Sequence, residues 1–516
     1  MMVSGSTFLS IFVAFAAKDC FGSNHCRSPA LWSVDAFITS NRMVPLNSQP
    51  AAKSMLKELY LASRKLESSD TPLDDLNIAI IGAGPSGLLL AHKVARLGAK
   101  VKIFEARSRP QPDSLEQGRA YALGVGIRGR TAIQAVDDGL WNVVEQAGFG
   151  SQRFQLHAGP LKMTLRDEQD NVQKSVLLYQ TDLCRVLAEE LESCYNETHV
   201  TLAYSSNVVG VDLDTKQVKI RGLDSIEKET HFDLIVGCDG VNSIVRQELV
   251  DFCPAFKSAR TALPGVFKVV QLSAMPPALD PTAVALILPK AGGVTAFVEP
   301  TINNTCCILF AGRNETDPLL ISKDETELFE TMQSRFPILK GANFKSVAIQ
   351  MAAIEKPSQA SSIVCNMYHF NGTVALLGDA AHATGGVSGQ GVNSALCDSV
   401  ALGESLRDNF EHWNKEQSLQ NALLDYSRKQ VPEGRALYDL SFGPTPQGVL
   451  QRVKLMLKNA LDFIFQGRFG IGDVPLQTLL TTSTRSFADI RRDREAIYCE
   501  PFPTQEEWNN KLIGKQ

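Results

Sequence analysis

A chain of 516 residues with 44% hydrophobic content can bury a large core, and its length predicts roughly two to four domains. The net charge of −5, with 21% charged residues and no basic stripe, excludes nucleic acid as the main partner and gives no polybasic membrane surface, which leaves a small molecule. Eleven cysteines are scattered without a CxxC pair or a cluster with the eight histidines, so neither a zinc site nor a disulfide framework is indicated.

In chain order, the first element is an apolar run from Phe8 to Ala17, too short to span a bilayer. A Ser- and Asn-rich stretch carrying Arg27 and Arg42 follows it to about Pro50. This reads as a two-part organelle presequence of a eukaryote, secretory-type or plastid/mitochondrial, with a sticky tail as the alternative. Residues 54–69 space Leu56, Leu59, Leu61 and Leu66 for an amphipathic leading helix.

The stretch "NIAIIGAGPSGLLLAHKVARLGAKVKIFEAR" then predicts a buried strand, a glycine turn, a helix to about Leu97 and a second strand ending at Glu105, which is a βαβ unit. In Gly82-x-Gly84-x-x-Gly87 the first glycine permits the tight turn, the second lets backbone approach a pyrophosphate, and the third allows close helix–strand packing. Glu105, at the end of the second strand, is placed to accept hydrogen bonds from an adenosine ribose. No second copy of this unit follows, so a nicotinamide would have no Rossmann domain of its own.

Farther on, "HFDLIVGCDGVNSIVRQEL" (231–249) predicts a strand, Cys238-Asp239-Gly240 and a helix capped by Asn242 or Ser243. The runs at 265–272, 283–289, 293–300 and 304–312 predict an antiparallel sheet forming one wall of a substrate pocket. "TVALLGDAAHATGGVSGQGVNSALCDSVALGESL" repeats the logic of strand, Gly-Asp, glycine-rich loop and helix. The last amphipathic stretch, 448–469, carries Arg452, Lys454 and Lys458 and lacks the length of a membrane span. It predicts packing on the protein's own core or a partner helix, with a peripheral membrane contact as the alternative.

These three motifs, with "GRAYALGVGIRGRTAIQAV" (118–136), "YHFNGTVALLGDAAHA" (368–383) and "RKQVPEGRALYDLS" (428–441), resemble the FAD-dependent aromatic hydroxylases of the p-hydroxybenzoate hydroxylase fold, and among them the kynurenine 3-monooxygenase branch. The resemblance runs from about Asn77 to Ser441. It implies an α/β fold: a Rossmann-like FAD-binding domain in three pieces (77–150, 176–252, 362–410), an inserted antiparallel-sheet substrate domain (151–175, 253–361), a helical C-terminal region (411–516) and a preceding segment (1–76).

It also implies a noncovalent FAD and a transient NAD(P)H co-substrate. In this family the acid of the Gly-Asp motif binds the flavin ribityl chain, a role that falls on Asp379, with Gly378 before it. Gly389 and Gly391 admit backbone amides to the isoalloxazine, and the helix start at Val392 and Asn393 points its positive end at the ring. Asp239 and Gly240 fall at the phosphate region, Arg119 near the adenosine and pyrophosphate, Gln180 on the ribityl side, and Val208 at the adenine backbone contact. Ser86 and Ala106 complete the cofactor set beside the glycine loop and Glu105. The implied chemistry is hydroxylation or epoxidation through a flavin C4a-hydroperoxide with O2, and no catalytic base is identifiable. His382 is expected to be a packed loop residue.

Two departures from the branch bear on substrate. Aligning "GFGSQRFQLH" puts Phe154 where an arginine pairs with the substrate carboxylate, with Arg153 one residue off and therefore on the other strand face unless a bulge intervenes. Phe442 and Gly443 stand where a tyrosine helps, while Asn393 matches the branch as a substrate contact. The expected substrate is small, aromatic or apolar, and not L-kynurenine. Gly385-Gly386 stands where the family commonly has a proline, so the loop is expected to be more mobile or to admit a differently shaped substrate, and Pro at Gly386 is expected to leave FAD affinity nearly unchanged while altering flavin reduction or coupling.

Overall fold

A computed structural model describes residues 71–110, 121–167, 173–221, 227–443, 474, 476–498 and 501–513. The segments expected to be a presequence and a leading helix, Arg119 and the 448–469 stretch lie outside the described residues. One compact unit comprises Thr71–Gly443 and the chain from Gln477 onward.

The glycine-motif strand Asn77–Ile81 sits inside a six-stranded sheet, between Leu234–Gly237 and Lys100–Phe104, both parallel to it. Val374–Leu376 and Val200–Ala203 extend the sheet in parallel on either side, and His369–Phe370 closes one edge antiparallel. The central strands are apolar runs because helices cover both faces: Ile80, Ile103, Val236 and Leu376 are fully buried. The three strands that precede glycine or acid motifs are Asn77–Ile81, Leu234–Gly237 and Val374–Leu376, and they are adjacent. Their C-terminal ends therefore gather Gly82, Asp239 and Asp379 at one rim, where open α/β sheets bind ligands.

A second six-stranded sheet is built from Val266–Leu272, Cys306–Gly312, Val294–Pro300, Ala283–Leu288, Arg153–Ala158 and Leu161–Arg166, in that order. The four expected strands are present within two residues of their expected bounds, but the sheet is not wholly antiparallel: Ala283–Leu288 runs parallel to Arg153–Ala158. Parallel neighbours need a long crossover, and here the crossover is the intervening part of the first domain. One face carries Val270, Ile287, Ala296, Val298 and Ile308 into a core shared with the helices Glu325–Arg335 and Phe344–Ala353. The other face carries Val269 and Cys307 against Ala122 of the first domain, with Phe267, Leu309 and Tyr179 alongside.

The C-terminal region is helical. Lys415–Phe442 runs for 28 residues, started by the Asn414 side chain and ended at Gly443 with φ +69°. Glu433 on that helix accepts from the Phe487 and Ala488 amides (2.7 and 3.2 Å), docking the Phe487–Arg492 helix against it. Among the described residues, no helix is long and apolar enough to cross a membrane.

The substrate-domain helices are pinned by Asp317. It caps its own short helix through Leu319 N (3.1 Å) and takes two hydrogen bonds from Arg335 Nη1 at 2.8 Å, with 5% of its side chain exposed. Removing one partner of such a pair leaves an uncompensated charge. Asp317→Ala is expected to lower stability by about 3 kcal/mol, read as a lower urea midpoint, with Asp317→Asn recovering part of the loss.

Candidate active site

The three glycines of the first motif do different work. Gly82 has φ +102°, and a Cβ there would lie 2.5 Å from the Cys238 carbonyl oxygen; at Gly87 it would lie 2.2 Å from Gly82 O. Those two allow the chain to pack. Gly84 has φ −75° and its nearest neighbour to a Cβ is Cys238 O at 4.0 Å, so the space beside it is left for a ligand. Gly84 also precedes the Pro85–Arg96 helix, which has neither a side-chain cap nor an acid in its first turn, so its leading amides remain available to an anion.

Glu105 closes the loop from the next strand. Its Oε2 accepts from Ala83 N (2.9 Å), and its Oε1 accepts from Arg107 N (2.9 Å) and Nε (2.8 Å). Burial works to raise its pKa, but the hydrogen bonds and charge of Arg107 outweigh that and hold the carboxyl below its ordinary value. Arg107 was not singled out from the sequence, where it reads as an ordinary loop cation. Ala106, between them, is exposed.

At the second strand, Asp239 Oδ2 accepts from Ile244 N (2.7 Å) and Val245 N (3.3 Å), while Ser243 Oγ accepts from Arg246 N (2.9 Å). Asp239 Oδ1 is buried and accepts nothing among the described residues, and burial pushes the carboxyl pKa up. Gly240 follows with φ +74° and open space beside it. Arg246 ties this turn to the third motif by donating to Ala380 O (2.9 Å).

At the third strand, Gly378 takes φ +58° and hands on to Asp379 at the start of a four-residue helix. The Asp379 carboxylate accepts no hydrogen bond from the described residues, and the residue is exposed. Burial nonetheless leads the causes that raise its pKa, followed by His382, which opposes the rise, and Asp398, which adds to it. The acid thus lines an opening enclosed by protein. Tyr121 borders the same opening: burial first, then the charge of Asp379, pushes its phenol up to about 12.

Asp398 holds this turn. Its Oδ2 accepts from Gly378 N (2.8 Å) and from His382 Nε2 (2.6 Å), with 1% of its side chain exposed. Burial opposes the charge on His382, but the neighbouring Asp398 carboxylate outweighs it and raises the pKa of His382. His382 is thus a packed residue, as expected. Asp398 was missed; its signal is an acid on the apolar face of a helix, in "NSALCDSV".

The glycine-rich loop departs from one expectation. Gly386 has φ +78°, which proline, fixed near −65°, cannot adopt, so Gly386→Pro would force the loop to refold rather than merely stiffen it. A Cβ at Gly385 would lie 2.4 Å from Leu263 Cδ1, whereas Gly389 and Gly391 face open space. The Gly391–Asn409 helix begins there without a side-chain cap. The Asn393 side chain is spent on backbone: Oδ1 accepts from Gly126 N (2.8 Å) and Gly129 N (3.3 Å), and Nδ2 donates to Gly124 O (3.1 Å) and Gly389 O (3.4 Å). All its hydrogen-bonding capacity is used, so what it can offer a ligand is its main-chain amide, beside that of Val392.

Of the other expected contacts, Gln180 opens the Gln180–Cys194 helix with its amide bonded to Tyr121 O (3.2 Å), next to the opening. Val208 lies in Asn207–Asp212 with its side chain in the core, which leaves only backbone to a ligand. Ser86 is buried, its hydroxyl oxygen 3.3 Å from where a Cβ on Gly378 would be. Phe154 lies on the substrate sheet, edge-on to Phe297 with centroids 6.1 Å apart. Arg153 points to the other face, held by Asp280 (2.6 Å) and Asp167 (3.1 Å), the former also bonded to Gln155. The strand pair does carry a register shift, but it falls between Phe154 and Gln155 and does not bring Arg153 round.

A family of proteins described as having an FAD binding domain matches residues 75–441. The chain belongs to this family. Kynurenine 3-monooxygenase of Sus scrofa is 27% identical over 382 residues, covering 73% of this chain and 76% of that protein. The enzyme of the same name from Stenotrophomonas maltophilia is 24% identical, covering 81% and 90%. Among solved structures, the tetrameric form of 2-methyl-3-hydroxypyridine-5-carboxylic acid oxygenase superposes with a TM-score of 0.59 at 16% identity, over 79% of this chain and 96% of that one, a likeness of fold.

The chain is an FAD-dependent monooxygenase, and its residues fit the cofactor. Space stands beside Gly84, Gly389 and Gly391, two helix starts present free amides, and the Asp379 carboxylate and Asp239 Oδ1 lack protein partners among the described residues. Glu105 differs, being already engaged by Arg107 and Ala83.

The glycines provide a test that separates binding from folding. Gly84→Val is expected to fold with an apo melting temperature near wild type but to lose most FAD, whereas Gly87→Val is expected to fail to fold. Asp379→Ala is expected to cost about 1.5 to 3 kcal/mol of FAD affinity, measured by flavin fluorescence titration. Stoichiometric flavin retained by both Gly84→Val and Asp379→Ala would refute the assignment of these loops.

Proposed function

We propose that the chain uses NAD(P)H and O2 to hydroxylate or epoxidise a small aromatic or apolar molecule that is not L-kynurenine. In the hydroxylation, NAD(P)H, a proton, O2 and a substrate C–H give NAD(P)+, water and a C–OH. Bound FAD would supply the redox chemistry, that of hydride acceptance and of transfer of one oxygen atom of O2. The protein's own part is to bind, orient and exclude water. Asp379 would accept hydrogen bonds from the ribityl chain, and the first-turn amides of the Gly391–Asn409 helix would stabilise negative charge on the reduced ring. The chain has one dinucleotide motif, so the nicotinamide would visit without a domain of its own.

The observation that carries the substrate reading is Phe154 on the sheet face turned to the first domain, with Arg153 on the opposite face and already paired with two acids. A substrate carboxylate placed against Phe154 would be buried without a cation, which costs roughly 2 to 5 kcal/mol, about 30- to 5,000-fold in binding. An apolar ring meets no such penalty there. Asn393 does not offset the loss, because its side chain is engaged. The Phe8–Ala17 run and the segment after it support our further reading that the chain is organelle-targeted, which the N-terminal sequence of the mature protein would test.

The purified full chain should oxidise NADPH faster when a suitable aromatic is added, with isotopically labelled oxygen from O2 in the product. Product formed without oxygen would instead identify a flavin dehydrogenase. With L-kynurenine we expect no coupled turnover at micromolar substrate, assayed by direct measurement of 3-hydroxykynurenine; efficient turnover would sink the argument from Phe154.

A further inference from the structure

The face of the second sheet that packs toward Ala122 and Tyr179 carries one carboxylate that the oxygenation does not use. On the Val294–Pro300 strand, Phe297 and Glu299 share a face by alternation, and Glu299 pairs across the ladder with Cys307, which contacts Ala122. Phe297 pairs with Leu309, and Leu309 with Val269, so the surroundings of the acid on this face are apolar and aromatic. Phe154, Phe297 and Leu309 are only half-buried, although all three lie on interior strands of the sheet, so protein does not fill the space in front of them. Glu299 makes no hydrogen bond and no ion pair among the described residues. An enclosed carboxylate without a partner is costly unless something else pairs with it.

We infer that Glu299 is a specificity residue that receives the protonated nitrogen of an amine-bearing aromatic substrate, whose ring lies against Phe154 and Phe297. This deepens the proposed function and rests on its placing of the substrate at this face. The same face that rejects a carboxylate for want of a cation would accept a cation for want of any other partner to the acid.

Charge state gives the inference a signature. Burial alone pushes the Glu299 carboxyl up to about 8. The titratable group paired with it across the ladder is the Cys307 thiol, and the Tyr179 phenol of the first domain packs on the cluster that contains Cys307; burial pushes both far above their ordinary values, so neither changes charge near neutrality. The empty site therefore holds a proton below about pH 8, and binding a cation must expel it. Affinity for an amine should rise with pH up to about 8 and then level off, since an alkylamine stays charged to about pH 10.

The test uses the full FAD-loaded protein and three indoles of one shape: tryptamine, neutral 3-ethylindole and anionic indole-3-propionate. Dissociation constants come from the change in flavin absorbance, with NADPH oxidation followed separately. We expect tryptamine to bind at least about 30-fold tighter than indole-3-propionate. Glu299→Gln should erase that preference and the pH dependence, keep FAD, and leave 3-ethylindole within about two-fold, while Glu299→Asp keeps part of the preference. The inference is overturned if wild type does not favour the amine, if Glu299→Gln keeps the preference, or if none of the three perturbs the flavin. The two readings fail separately. Preference for the amine without NADPH oxidation by any probe would count against the monooxygenase reading and leave Glu299 assigned; oxidation stimulated by the neutral probe with no charge preference would remove Glu299 alone.

Discussion

The buried carboxylate of Asp398 holds the turn on which Asp379 is carried. By accepting from Gly378 N and His382 Nε2 it stabilises a backbone conformation that glycine alone adopts readily, and that conformation sets where Asp379 begins. Asp398 is one of five buried polar side chains along the Gly391–Asn409 helix, three of which fasten it to different walls of the candidate cradle. Asn393 ties the helix to Gly124, Gly126 and Gly129, and Ser399 Oγ donates to Ser86 O (2.8 Å) in the helix of the first glycine motif. The cradle is rigid because a single helix is bonded to all three of its sides, and buried polar networks of this kind specify one arrangement more than they add stability.

Against that satisfied framework, a few polar groups stand out for being unsatisfied. Glu105 has spent its oxygens on Ala83 and Arg107, and Asp398 serves Gly378 N and His382 Nε2 with Oδ2 alone, its Oδ1 accepting nothing among the described residues. Asp379, Asp239 Oδ1 and Glu299 have no such partners among the described residues. The enclosed acids without partners share a direction of pKa shift, upward with burial as the leading cause. Each represents free energy withheld from folding and recovered when a ligand arrives, so the loaded protein should be appreciably harder to unfold than the empty one.

Much of this was legible in the sequence because local rules govern it. The strand before Gly82, the glycine turn and the cap of the Ile244–Phe252 helix by Ser243 follow from short-range pattern, and the three motif strands come out adjacent. What was not legible depends on distant partners. The parallel pairing of Ala283–Leu288 with Arg153–Ala158 joins segments whose direction no hairpin sets. Asn393 matched a substrate contact by position, yet the backbone of a loop some 265 residues away claims its amide. Gly386 looked replaceable because composition does not carry φ. Arg153 was rightly placed on the other face, but its two acid partners come from separate loops. Glu299 was invisible as a polar residue at the end of an apolar strand, since only the register reveals its neighbours.

The parallel seam in the substrate sheet also bears on how the molecule comes into being. During synthesis Arg153–Ala158 emerges long before the strand that will lie beside it, and in between the ribosome must deliver two strands of the other sheet. Its hairpin mate Leu161–Arg166 can pair at once, but the opposite edge stays open until residue 288 is made. An unpaired edge of this kind invites intermolecular pairing. Non-local contacts also slow folding. The nascent chain is therefore most exposed to aggregation in the interval between these two strands, and a chaperone that shields one short β-edge would have its largest effect on yield there.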